Sequence, residues 1–146
     1  MKKPNFLLLV ILGFLFTSCD PAQNIVFTNS AKSDLKVKLL VNSQFKNEAI
    51  YLEDIPIDQV IKGDSLVFTI KSGNPKETEK YIYFGRGKWR KERIYEVAQS
   101  IKSIEIENAE YKIVYKSPHE IRQLLLKNKK GIFFKSIEID VDDNFD

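Results

Sequence analysis

The chain has 146 residues, 43% hydrophobic and 29% charged, which is the length of one ordinary folded domain and excludes a second full-sized one. Its formal net charge is +3, and two of those charges are Lys2 and Lys3, so the remainder is nearly neutral and unlike the clustered cationic surface that nucleic acid demands. One cysteine and one histidine exclude an internal disulfide framework and any site built from several Cys or His ligands.

In chain order, Lys2 and Lys3 precede the uncharged run Phe6 to Phe16, FLLLVILGFLF. Eleven apolar residues after a positive start suit the hydrophobic region of an export signal and fall short of the roughly 20 needed to span a bilayer. The run ends in Leu15-Phe16-Thr17-Ser18-Cys19, which resembles the lipobox of bacterial lipoproteins, with Phe16 where Leu is commoner. Ordinary signal-peptidase cleavage needs small residues at −1 and −3, yet cutting after Ser18 puts Phe16 at −3, and cutting after Thr17 puts Leu15 there. The resemblance covers residues 1–19. It implies a removed signal peptide (1–18), a new N-terminus at Cys19 carrying diacylglycerol and acyl chains, and a location in the bacterial cell envelope, on the exported side of the inner or the outer membrane. Residues 19–24 are then read as a short tether of about 17 Å at most, and residues 25–146 as one domain.

From Asn24 onward the period is two. Leu35, Val37, Leu39 and Val41 alternate with Lys36, Lys38 and Leu40, and Leu66, Phe68 and Ile70 alternate with Val67 and Thr69. Further strands are predicted at Ile25–Asn29, Ala49–Ile55, Lys80–Phe84, Ser103–Glu107, Glu110–Lys116 and Phe133–Val141. Turn residues separate them at Asn42-Ser43, Lys62-Gly63-Asp64, Ser72-Gly73-Asn74-Pro75 and Asn108-Ala109. Two helices interrupt the strands. Trp89 to Ser100 sets Ile94, Val97, Ala98 and Ile101 on one stripe, and Ser117-Pro118-His119-Glu120 is a capping box opening a helix that buries Ile121, Leu124 and Leu125. The expected fold is mainly β: an antiparallel two-layer sandwich of immunoglobulin-like or transthyretin-like architecture with two short helices in its connections.

The segment Tyr81 to Arg93 carries five cations and three Tyr or Trp rings. Arg90 and Lys91 sit at a helix amino end, where the dipole favours acids. Tyr81, Tyr83, Arg86, Lys88, Trp89, Arg90 and Arg93 therefore form a candidate patch for an anionic partner, against the plainer alternative that Trp89 packs in the core and the cations are solvated.

Other motifs fail on spacing. Gly85-Arg86-Gly87 lacks the third glycine of a dinucleotide loop, and His119 lacks the second histidine of a zinc protease. Asp140, Asp142 and Asn144 begin a calcium-loop pattern, but Phe145 stands where glycine is needed and no glutamate follows, so the acidic end reads as a solubilising tail. Glu105 and Glu107 read as the wet face of a strand, and no G-x-S-x-G elbow nominates a serine. The expectation is a non-enzymatic binding module held to a membrane through Cys19, contacting an envelope protein or an anionic polymer, with protection against a toxin or hydrolase as one form of that role. No metal, cofactor or nucleic acid is implied. The alternative is a small envelope hydrolase using carboxylates, drawn from residues such as Glu53, Asp54 and Asp58, or a serine.

Overall fold

In AQNIVFTN, every second side chain faces inward: Gln23, Ile25, Phe27 and Asn29 are buried, while Asn24, Val26 and Thr28 are half-exposed. This strand, β1 (Ala22–Asn29), begins three residues earlier than the apolar pattern predicts, because the inward residue that opens it is the polar Gln23. The computed structural model describes residues 21–42, 60–62, 65–73, 78–131 and 136–145. The leader, Cys19 and the strand predicted at 49–55 lie outside the described residues, as do Glu53, Asp54 and Asp58.

After β1 come β2 (Leu35–Val41), β3 (Val60–Lys62), β4 (Ser65–Ile70), β5 (Glu79–Arg86), α1 (Lys91–Ser100), β6 (Ile101–Glu107), β7 (Lys112–Tyr115), α2 (Pro118–Lys127), β8 (Lys129–Lys130) and β9 (Ser136–Val141). They form a four-stranded sheet in the order β5-β1-β9-β8 and a five-stranded sheet in the order β3-β4-β2-β6-β7. The fold is a mainly β sandwich with two short helices in its connections. Among the described residues it departs from an all-antiparallel plan at one place, where β1 and β9 run parallel with Ile25 beside Ile137 and Phe27 beside Ile139. The first and last strands thus meet in the middle of one sheet. That also corrects the tail: β9 lies between β1 and β8 and is no exposed edge at its start, and its last turn of chain, from Asp140 to Asp143, is tied down. Ser30 Oγ donates to Asp140 (2.6 Å), Lys32 N donates to Asp143 (3.0 Å), and the Tyr111 hydroxyl donates to the Asp142 carbonyl (2.7 Å).

The inner faces of the two sheets share one core. Phe27 of β1 meets Phe68 of β4 edge to face, with ring centroids 5.8 Å apart, and Leu35, Val37, Leu39, Leu66 and Ile70 complete that wall. Each fully buried aliphatic or aromatic side chain contributes about 1.5–3 kcal/mol. The Asn108 corner closes the β6–β7 hairpin, its side-chain oxygen accepting from Glu110 N (2.8 Å) and Tyr111 N (2.9 Å).

The helices pack on each other, and α2 reaches β6 of one sheet and β9 of the other, so the pair covers one side of the sandwich. Ile94, Val97 and Ala98 of α1 and Ile121, Leu124 and Leu125 of α2 supply the buried stripes. The predicted capping box is present: Ser117 Oγ accepts from Glu120 N, and the Glu120 carboxylate accepts from Ser117 N. This helix ends at Lys127. Asn128 N and Nδ2 both bond the Leu124 carbonyl, and Lys129 and Lys130 pass into β8.

Candidate binding surface at the head of the first strand

A turn of unusual backbone shape joins β5 to α1. Gly85 and Gly87 have φ of +116° and +121°, and there L side chains are strained even where space is available. The turn is held from beneath by one buried amide. Gln23 Nε2 donates to the Lys88 carbonyl (3.0 Å), and Gln23 Oε1 accepts from Arg93 Nε (3.3 Å). Arg93 folds back to donate to the Phe84 carbonyl (2.7 Å) and pairs with Glu96 (3.1 Å). Gly87 N donates to the Pro21 carbonyl (2.8 Å), so the turn is fastened to the first described residue of the chain. Of residues 19–24, read from the sequence as a tether, Pro21 is pinned and Ala22 to Asn24 belong to β1.

The seven residues of the predicted patch divide into three groups. Trp89 leaves it: the ring is fully buried in the core cluster, edge to face with Phe84 at 6.0 Å. Its Nε1–H has no hydrogen-bond partner among the described residues. Arg93 is a half-buried strut, bonded through all three guanidinium nitrogens. Tyr81 and Tyr83 lie on the outer face of the four-stranded sheet, opposite Val26 and Asn24, with Tyr81 52% exposed. Arg86, Lys88 and Arg90 stay together at the end of the sandwich, all exposed, and Lys91, outside the predicted set, joins them at the start of α1. Arg90 is the N-cap residue of α1 and makes no side-chain capping bond, so its guanidinium is not used to close the helix. Arg86 sits directly across from Ala22 on the neighbouring strand.

The residues considered for hydrolysis are arranged otherwise. Glu105 lies between Lys112 (2.9 Å) and Lys38 (3.5 Å), and its hydrogen bond with Lys112 holds its carboxyl below the ordinary value, against the need of a general acid. Glu107 shares Lys112 at 3.6 Å. His119 is exposed on the first turn of α2, with Gln123 Nε2 3.4 Å from its Nε2. A shallow depression between α2 and the chain end is lined by Leu124, Lys127, Asn128, Asp140, Asp142, Asn144 and Phe145, and its carboxylates are tied to local backbone and hydroxyl donors rather than aimed at one point. No group of three or more His, Cys, Asp or Glu fit to hold a metal ion occurs among the described residues.

No family model, no curated protein and no solved structure matches this chain, so the reading of its surface rests on the geometry above.

Proposed function

We propose that this protein is a lipid-anchored lipoprotein of the bacterial envelope that works without catalysis, as a small binding module held against the membrane on its exported side. The observation that supports the reading most is the 2.8 Å bond from Gly87 N to the Pro21 carbonyl. Pro21 follows Cys19 by two residues, and consecutive Cα atoms are about 3.8 Å apart, so a lipid on Cys19 enters the bilayer within about 8 Å of a fixed point on the sandwich. An anchor this short presents a domain; it does not let it roam. Two or three acyl chains at about 0.8 kcal/mol per buried CH₂ make the attachment effectively permanent. The exposed cations around the turn and the tyrosines of β5 are the surfaces available to an envelope protein or an anionic polymer.

The test is chemical. Protein isolated from membranes is expected to begin at Cys19 with a diacylglyceryl mass, to incorporate labelled palmitate, and to lose both in Cys19→Ala, which should accumulate with its leader attached. An unmodified Cys19 thiol in the native protein overturns the assignment.

A further inference from the structure

We infer that the basic turn is a footing: Arg86, Lys88, Arg90 and Lys91 dock on anionic phospholipid headgroups and set the sandwich upright on the membrane. The inference rests on the chain being anchored at its amino end, as proposed above.

Register carries the argument. Arg86 faces Ala22 across β1 and β5, so the cations occupy the end of the sandwich where the chain leaves for the membrane. Between Tyr81 and Arg93 the acid is Glu92, also exposed, and Glu96 pairs with Arg93 (3.1 Å). At the opposite end of β1, Thr28 is flanked by Glu79 on one side and Asp140 on the other. Asp142 and Asp143 follow β9, and Asp34 precedes β2. Among the described residues at that far end, Lys32 pairs with Asp143 (3.3 Å) and Lys71 with Asp34 (2.7 Å). The charge is therefore segregated along β1, about 20 Å from Ala22 to Thr28 at roughly 3.3 Å per residue. A nearly neutral net charge hides a basic foot and an acidic head. Anionic lipid attracts the first and repels the second, and both effects favour the same posture. Each cation near such a surface is worth about a fivefold preference, so four of them outweigh the freedom of a two-residue tether to tilt. The headgroup is favoured over a shaped ligand because all four of these side chains are exposed.

Trp89, the sole tryptophan, lies inside this turn and reports its height. The full chain, purified in detergent, would be reconstituted into vesicles carrying a dansyl-labelled headgroup, and energy transfer from Trp89 measured. Transfer is expected to rise at least about twofold when phosphatidylglycerol replaces part of the phosphatidylcholine, and to fall back at high salt, where screening acts within a few ångströms. The variant with Arg86, Lys88, Arg90 and Lys91 all changed to Ser should anchor as before, keep the buried emission of Trp89, and give the same transfer on both lipids. Arg86→Lys with Arg90→Lys should keep the response. Equal transfer for the native chain on both vesicles overturns the footing, and loss of the response in the Lys variant overturns the headgroup as its partner. Mass spectrometry of residue 19 on the same sample reports separately on the anchor.

Discussion

Asn29 and Gln23 are the two inward polar residues of β1, and each does the work of a fastener. Asn29 Nδ2 donates to the Ser33 carbonyl and the Ile70 carbonyl, both at 3.0 Å, while its oxygen accepts from Ala31 N, tying the two sheets at one end. Gln23 does the same at the other end for the turn before α1. Replacing either by leucine keeps bulk but orphans buried partners, at about 1–3 kcal/mol per orphaned group. Urea unfolding of Asn29→Leu and Gln23→Leu should therefore show losses of about 2–4 kcal/mol, whereas Tyr81→Ser, on the exposed face, should stay within about 0.5 kcal/mol. Comparable effects at all three positions would contradict this account. Neither polar residue is legible as a fastener from sequence, since alternation marks apolar inward positions and counts an inward amide as a break.

At the scale of the element, α2 is written locally. Ser117 closes one backbone N–H and Glu120 closes two, those of Lys116 and Ser117, and these bonds hold the Glu120 carboxyl below its ordinary value. Ser117→Ala should destabilise the protein by about 1 kcal/mol, and Glu120→Gln, which keeps the reciprocal bond, should cost less. A circular-dichroism melt ranking the two the other way would refute the capping account. α1 shows the opposite case. Its stripe of Ile94, Val97 and Ala98 was legible, and Arg90 and Lys91 do stand at its amino end, but what holds that end was not, because Arg90 supplies no side-chain cap and the first turn is fixed through Arg93 to Gln23 and the Phe84 carbonyl.

For the whole molecule, hydrogen-bonded and paired carboxylates set the acid limit of the pH range, and a buried hydroxyl and a paired lysine set the alkaline one. Lys71 and the Ser72 amide lower the Asp34 carboxyl, Lys112 lowers Glu105, the Ser117 and Lys116 amides lower Glu120, and the Lys32 amide lowers Asp143, from ordinary values of 3.8 for Asp and 4.5 for Glu. A carboxyl depressed by folding stabilises the folded state above its unfolded value, and that contribution disappears as pH falls through the folded one. Stability should thus be flat near neutrality and decline progressively below about pH 4.5. At the alkaline end, burial raises the Tyr111 hydroxyl above 10.0, and Glu105 raises Lys112 above 10.5, so stability should fall again as pH rises past those values. Urea midpoints measured across the range check both limits; a midpoint unchanged from neutrality down to pH 3 would show that these contacts do not survive in solution.

What the sequence determined by itself was everything that repeats over a few residues: the alternation that makes strands of Leu35 to Val41 and Leu66 to Ile70, the Asn108 corner, the Ser117 box, and the mainly β character. Those are local steric and hydrogen-bonding preferences, and they act wherever the segment happens to lie. Only the tertiary structure decided that β1 and β9 run parallel, that Trp89 is core while Arg86, Lys88, Arg90 and Lys91 remain outside, and that acids and bases separate to opposite ends of β1. Each depends on which distant strand becomes a neighbour, and loop closure between remote segments leaves no periodic mark on the chain that undergoes it.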